Sequence, residues 1–110
     1  MIFVTGPLYA GKREYIRNVL RLSEEDFASR AVWDVQELAP GADLQALTER
    51  LAQKEIVIAA ELGGGLVPID KTERKKREAA GRLACMLAAR ADIVVRVCCG
   101  LGQVLKGELP

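Results

Sequence analysis

A glycine-rich segment near the start of the chain, Gly6–Arg13, has the residue types and spacing of a phosphate-binding loop. It matches G-x-x-x-x-G-K and lies between a short apolar run, Ile2–Thr5, and a segment with helical periodicity. Glycines let the backbone N–H groups of such a loop point at an anion, and the lysine reaches the outer phosphates of a nucleoside triphosphate. A strand-to-helix turn with a solvated lysine is the alternative. The predicted phosphate-binding residues are Gly6, Pro7, Tyr9, Ala10, Gly11, Lys12 and Arg13.

The residue after the lysine departs from this pattern. Arg13 stands where a serine or threonine hydroxyl would ligate Mg²⁺, and a guanidinium has no acceptor atom with which to ligate a cation. Two interpretations stay open. Arg13 supplies a fixed charge in place of part of the metal's role, or the site binds phosphate without metal-assisted chemistry. The sequence predicts ATP or GTP as ligand and leaves the need for Mg²⁺ undecided.

Two acidic residues are candidates for chemistry beside the loop. Asp34, at the end of a predicted second strand, would hold magnesium through water or would simply form an Asx turn. Glu61, after a third strand, would polarise a substrate hydroxyl or orient a magnesium-bound water; otherwise it caps the loop backbone. Lys12, Asp34 and Glu61 are therefore the candidate catalytic residues.

The composition excludes several mechanisms. The 110 residues include no histidine, so a Ser-His-Asp triad, a Cys-His pair and histidine-ligated metal are ruled out. The three cysteines, Cys85, Cys98 and Cys99, have neither disulfide nor zinc spacing, and we expect them to be buried apolar residues in a reducing cytoplasm. On a strand, the adjacent pair would point to opposite faces.

Strand and helix patterns alternate along the chain, which predicts an α/β fold with a mainly parallel sheet. The helices are expected on both faces of about four strands, in a single domain spanning residues 1–110. The predicted strands are Ile2–Thr5, Ala31–Val35, Glu55–Ala60 and Asp92–Cys99, with a possible short edge strand at Gln103–Lys106. The predicted helices are Lys12–Leu22, a helix capped by Asp43 that runs to Lys54, and a long helix capped by Asp70. Between them, Ser23–Arg30 is predicted to be a loop or a short turn of helix.

Charge and hydropathy limit the partners. The net charge is +1, so nothing global favours nucleic acid or a membrane surface. No signal peptide and no apolar run of membrane-spanning length is visible, which predicts a cytoplasmic protein without a membrane partner. A basic cluster at Lys71–Arg77 is either a solvated helix face or an electropositive rim for a triphosphate. Without interleaved aromatic residues, it does not favour nucleic-acid binding.

The second half of the chain carries a more specific pattern. The segment Glu61–Pro68 reads E-L-G-G-G-L-V-P and is followed by Arg74, Arg77-Glu78 and Gly81-Arg82. This resembles the bifunctional adenosylcobinamide kinase/adenosylcobinamide-phosphate guanylyltransferase family of cobalamin biosynthesis, whose members have N-E-V-G-x-G-I-V-P and R-x-x-R-D-x-x-G. The resemblance covers roughly residues 1–22 and 55–107. It implies a P-loop NTPase-like three-layer domain that is shortened and partly degenerate.

The resemblance implies a function as well as a fold. It suggests phosphoryl transfer from a nucleoside triphosphate to the hydroxyl of adenosylcobinamide, in a homo-oligomer. Arg74 and Arg77 would contact phosphate or pack between subunits. The family histidine that becomes guanylylated is absent, so that second reaction is not expected. Ala59-Ala60 and Ala84-Cys85 replace polar family residues. A non-catalytic nucleotide- or phosphate-binding relative, acting as a subunit or regulator, is the alternative.

Overall fold

The computed structural model describes residues 1–62 and 70–110 of the chain. Within the segment Glu61–Pro68, the three glycines Gly63–Gly65, which predict a loop, and Pro68, which would end it, lie outside the described residues. The described residues on either side of this gap belong to one α/β arrangement, in which a five-stranded sheet separates two sets of helices. The predicted fold class is confirmed.

The sheet consists of β1 (Ile2–Thr5), β2 (Ala31–Val32), β3 (Ile56–Ile58), β4 (Ile93–Cys98) and β5 (Leu101–Lys106). The strand order is β2-β3-β1-β4-β5, and the first four are parallel to one another. Strand β5 pairs antiparallel with β4 through a two-residue turn. The four predicted strands and the edge strand are thus present, and β1 occupies the centre, where both neighbours hydrogen-bond to it.

The helices are α1 (Lys12–Val19), α2 (Glu24–Arg30), α3 (Leu44–Leu51) and α4 (Lys71–Arg90), with a 3₁₀ turn at Val35–Leu38. Asp43 and Asp70 cap α3 and α4, as predicted, by accepting hydrogen bonds from the N–H groups of Ala46 and Thr72. Helix α1 ends before the predicted Leu22. There Arg21 has φ 55° and the N–H of Leu22 donates to the Arg17 carbonyl, a left-handed termination.

Two elements differ from the sequence prediction for local reasons. Residues 24–30 form a true helix, because the Ser23 hydroxyl accepts a hydrogen bond from the Asp26 N–H and supplies an N-cap. Strand β2 is only two residues long, although Ala31–Val35 was the predicted strand. Asp34 has φ 56°, and this left-handed residue turns the chain out of the sheet and into the 3₁₀ turn.

The alternation of strand side chains builds a core on each face of the sheet. Phe3, Val57 and Val94 point to one face, where they pack with Leu47, Leu51, Leu83 and Leu87 of α3 and α4. Val4, Ile58 and Val95 point to the other, where they pack with Ile16 of α1 and Phe27 of α2. Both faces of the parallel strands are therefore covered, which explains their continuous apolar sequences.

The cysteine prediction is wrong. Cys85 and Cys99 are exposed and Cys98 is half-buried. The adjacent sulfurs do not point to opposite faces either. Cys99 lies in the β4–β5 turn with φ 54°, beyond the end of the strand, and its Sγ is 4.0 Å from that of Cys98. The prediction assumed that both cysteines lie in the strand, but β4 ends at Cys98, so the alternation of side chains does not extend to Cys99.

None of the helices in the described part of the chain is both long and apolar enough to cross a lipid bilayer.

The chain leaves β1 through a very close backbone contact. Gly6 has φ 149° and is buried against β4, where a Cβ at its position would collide with the Val97 carbonyl oxygen. The collision involves backbone rather than a movable side chain. Only glycine therefore allows β1 to pass into the phosphate loop while it stays paired with β4.

This contact gives a first prediction. Gly6→Ala should lower the free energy of unfolding by ~2–4 kcal/mol, from the clash and the unfavourable φ together. Gly81→Ala is the matched control, because Gly81 lies within α4 with open space around its Cβ position. That change should raise stability by ~0.5–1 kcal/mol through helix propensity. Urea denaturation followed by circular dichroism measures both, and equal effects of the two substitutions would contradict the close contact.

Candidate functional site

A cleft of about 570 Å³ opens where β1, β2 and β3 end. The carboxyl ends of parallel strands meet at one edge of a sheet, and this is where α/β folds bind ligands. The cleft is lined by the phosphate loop, by the segment after β2 and by the last residue of β3. The lining residues are Leu8, Tyr9, Ala10, Gly11, Lys12, Arg13, Glu14, Trp33, Asp34, Gln36, Glu37 and Ile58.

The loop backbone is fixed at both ends by its neighbours. The Gly6 carbonyl accepts a hydrogen bond from the N–H of Glu61 at 2.8 Å, and the Ala10 carbonyl accepts one from the N–H of Gly100 at 2.9 Å. Gly11 has φ 83° and precedes α1 without a side-chain cap. Within residues 1–62 and 70–110, the backbone N–H groups of 8–14 donate to no backbone carbonyl. The loop and the first turn of α1 thus offer these donors to an anion.

Lys12 lies at the start of α1, where its ammonium donates a hydrogen bond to the Pro7 carbonyl at 2.6 Å. Partial burial lowers the pKa of Lys12 from its ordinary value. The charges of Asp34 and Glu61 act in the opposite direction, whereas Arg13 adds to the lowering. The structure therefore brings the three predicted catalytic residues into one electrostatic neighbourhood, although only Lys12 and Asp34 line the cleft.

Glu61 is held by a residue that the sequence analysis missed. Its carboxylate accepts two hydrogen bonds from Arg96, at 2.7 Å and 3.0 Å, in a bidentate ion pair. Arg96 comes from β4, next to Thr5 of β1 in the strand register. The sequence signal was a single charged residue inside the apolar strand I-V-V-R-V-C. The pair joins the segment after β3 to β4 beside the start of the phosphate loop.

Gln36 is a second residue that the sequence analysis missed. Its side chain is buried, and Oε1 accepts a hydrogen bond from the Ala60 N–H at 2.9 Å. Ala60 follows β3 at the point where pairing with β1 ends. Gln36 therefore fixes the 3₁₀ turn, and Asp34 at its start, against the end of β3. No feature of the sequence distinguished this glutamine.

Arg13 is joined to an aromatic pair. Its guanidinium carbon lies over the Trp33 ring, 5.4 Å from the ring centroid. The Trp33 ring is itself stacked on Phe27 of α2, with centroids 5.7 Å apart and an interplanar angle of 10°. Both Arg13 and Trp33 line the cleft. Trp33 is a further residue that the sequence analysis missed, because only the fold brings this single tryptophan to the loop.

The remaining predicted residues are more peripheral. Tyr9 is fully exposed with φ 59°, at the outer edge of the loop. Arg74 and Arg77 lie in the first half of α4 and are not among the residues that line the cleft. Arg74 is exposed, whereas Arg77 is half-buried. A role for these two arginines in binding phosphate stays a prediction.

The residues at the cleft do not fit the Mg²⁺ ion that a phosphate loop usually binds. The hydroxyl ligand is replaced by a guanidinium, which carries a positive charge close enough to lower the pKa of Lys12. Glu61 is engaged by Arg96. In the described residues, no group of three or more acidic, cysteine or histidine side chains is arranged to hold a metal ion.

Fold and site together define a P-loop NTPase-like domain, with a phosphate loop at the carboxyl edge of a mainly parallel sheet. The family model described as cobinamide kinase / cobinamide phosphate guanyltransferase (CobU) matches residues 29–105. The bifunctional adenosylcobalamin biosynthesis protein CobU of Escherichia coli (strain K12) is 37% identical over 79 residues. The Salmonella typhimurium (strain LT2) protein of that name is 34% identical over the same length.

These similarities place the chain in the CobU family. The aligned stretch covers 67% of this chain but only 44% of either relative, so the chain spans less than half the length of the curated relatives it matches. The predicted family membership is confirmed. The family model begins after the phosphate loop, so the match does not depend on Gly6–Arg13.

The electrostatics of Lys12 give a second prediction. Only the protonated ammonium attracts phosphate, and a lowered pKa means that the proton is lost below the ordinary value of 10.5. Triphosphate affinity should therefore fall as pH rises, beginning below pH 10.5. Asp34→Asn removes a charge that favours the ammonium and should move this fall to lower pH. Titration calorimetry across the range measures it, with circular dichroism to confirm folding. An identical alkaline fall in Lys12→Ala would contradict the assignment.

Proposed function

We propose that this chain binds the triphosphate of ATP or GTP along Gly6–Lys12 and acts as a kinase on adenosylcobinamide in cobalamin biosynthesis. The observation that carries the proposal is the row of backbone N–H groups at 8–14, which are without backbone acceptors in the described structure, beside the Lys12 ammonium. Such an array binds the tetrahedral oxygens of phosphate groups. Membership of the CobU family supports the choice of acceptor.

The proposed reaction is a transfer of the terminal phosphoryl group to an alcohol. The alcohol oxygen forms a bond to the γ-phosphorus, the bond to the β–γ bridging oxygen breaks, and the nucleoside diphosphate leaves. Lys12 and the loop N–H groups would neutralise charge on the phosphate oxygens. Asp34 is the better candidate to accept the alcohol proton, because it lines the cleft whereas the Glu61 carboxylate is bound to Arg96.

A second candidate function is favoured by the Glu61–Arg96 ion pair. If both carboxylate oxygens of Glu61 stay hydrogen-bonded to Arg96, Glu61 stabilises the fold and takes no part in catalysis. The chain would then bind nucleotide without turnover and serve as a subunit of a homo-oligomer or as a regulator. Loss of polar residues at Ala59-Ala60 and Ala84-Cys85 is consistent with that role.

The third prediction separates these two functions. Wild-type protein with radiolabelled γ-phosphate ATP or GTP and adenosylcobinamide should yield labelled adenosylcobinamide phosphate, measured by chromatography. Lys12→Ala should weaken triphosphate binding by ~1.5–3 kcal/mol and abolish the product, because a charge-assisted contact is lost. Lys54→Ala, on the exposed segment before β3, is the matched control and should do neither.

Binding without product in the wild type would select the non-catalytic function. Unchanged affinity in Lys12→Ala would show that Gly6–Lys12 is not the phosphate site.

The fourth prediction concerns guanylyl transfer. The reaction in the family passes through a histidine, and this chain has none. An exposed lysine is protonated at neutral pH and is a poor nucleophile, while Lys12 is needed as a cation. Protein incubated with GTP and Mg²⁺ should therefore show no covalent adduct by intact-protein mass spectrometry. A stable mass increase equal to one GMP would refute this.

A further inference from the structure

Arg13 lines the cleft as an exposed residue. It follows Lys12 at the start of α1, and it takes part in none of the ion pairs found within residues 1–62 and 70–110. Among the described residues, the side-chain contact recorded for its guanidinium is the one with Trp33. A tryptophan face attracts a cation and favours the planar guanidinium over a compact ammonium.

The Trp33 ring is positioned independently of Arg13. It stacks on Phe27, a buried residue of α2, and it lies one residue beyond the end of β2. The ring is thus held by its place next to β2 and by its stacking on α2, and neither depends on Arg13. Because Arg13 belongs to α1 and Trp33 to the segment after β2, their contact closes one side of the cleft.

Arg13 and Lys12 bring two positive charges together in this cleft. Arg13 is adjacent to Lys12 in the sequence, and its charge joins burial in lowering the pKa of Lys12. Glu14, Asp34 and Glu37 line the same cleft, so any attraction for a polyanion comes from the two cations next to the row of backbone N–H donors and not from the net charge of the cleft. At the place where a loop hydroxyl would ligate a divalent cation, Arg13 removes that ligand and adds a positive charge.

We propose that Arg13, positioned by Trp33, substitutes for the divalent cation at this site, so that the chain binds a nucleoside triphosphate without a metal. The inference rests on the proposed triphosphate site and adds the way in which the phosphate charge is neutralised. Arg13 is assigned a direct phosphate contact through its fork of N–H donors. Trp33 is a positioning residue, which acts through Arg13.

Calorimetric titration of the full chain with ATP tests the proposal, once in excess EDTA and once in excess Mg²⁺. The wild type should bind in EDTA with an affinity equal to or higher than in Mg²⁺. Arg13→Ser restores the usual hydroxyl, and its affinity in EDTA should be at least about tenfold lower, since a charge-assisted contact is lost. Mg²⁺ should recover part of that loss. Arg50→Ser on α3 is the control for net charge and should match the wild type, because exposed Arg50 lies outside the cleft.

The role of Trp33 is tested by a double-mutant cycle in EDTA. Trp33→Leu should weaken ATP binding about 2- to 5-fold in the wild-type background, the range expected of an exposed cation–π contact. It should have no effect in the Arg13→Ser background, whereas a purely structural role would weaken both equally. Thermal unfolding of each variant confirms that the protein is folded. If Trp33→Leu does not fold, Trp33→Phe, which retains an aromatic ring, takes its place in the cycle.

The outcomes distinguish this inference from the function on which it rests. Wild-type binding that requires Mg²⁺ would overturn the metal-independent mode and leave the triphosphate site intact. Metal-free binding that survives Arg13→Ser would overturn the role of Arg13. Absence of ATP binding under both conditions would overturn the triphosphate site and the inference together.

Discussion

The contact between Gly6 and the backbone of β4 is the constraint on which the rest of the site depends. A Cβ at this position would collide with the Val97 carbonyl oxygen, so there is no room for a side chain where the chain leaves β1. The loop that follows is then held on both sides, by the Glu61 N–H after β3 and by the Gly100 N–H in the β4–β5 turn. These anchors are backbone hydrogen bonds from the two neighbours of β1. The strand order β3-β1-β4 is therefore what shapes the loop.

The same order explains why residues distant in sequence meet at the cleft. Parallel strands end at one edge, so the segments after β1, β2 and β3 converge there. The Gln36 hydrogen bond to Ala60 joins the second of these segments to the third, and the Arg96–Glu61 pair joins the third to β4. Each connection uses a polar side chain near the carboxyl edge of the sheet. The sheet edge is thus joined by side chains, whereas the N–H groups of 8–14 donate to no backbone carbonyl within the described ranges 1–62 and 70–110.

Much of the fold was predictable because it follows from local signals. The apolar strands, the Asp43 and Asp70 caps and the glycine spacing of the loop all depend on residues close together in sequence. The shortness of β2 was not predictable, because it depends on Asp34 adopting a left-handed conformation that its sequence allows but does not require. The prediction for the cysteines was wrong for a similar reason, because the turn begins at Cys99, one residue before Gly100, where the sequence indicated the end of the strand.

The site was predicted in part, and what was missed consists of contacts between segments. Lys12 and Asp34 line one cleft, as their positions after two strands suggested. Arg96 and Trp33 gave weak signals, a charge within an apolar strand and a single aromatic residue. Glu61 lies 35 residues before its partner Arg96. Arg13 precedes its partner Trp33 by the 20 positions between 13 and 33. Pairings over such distances are fixed by strand order, which no local pattern specifies.

The charges around Lys12 show how the cleft can hold two cations together. Burial and the neighbouring Arg13 both favour the neutral form of the lysine, while Asp34 and Glu61 favour the ammonium. The two carboxylates therefore act in this fold as counter-charges, which raise the pKa of Lys12 against the effects of burial and Arg13. A carboxylate that ligated a metal would share its charge with that metal and support the lysine less. With Arg13 in place of the loop hydroxyl, Asp34 and Glu61 therefore act on Lys12 as counter-charges and not as metal ligands. In the proposed metal-independent mode, their role is to balance the fixed cations Lys12 and Arg13.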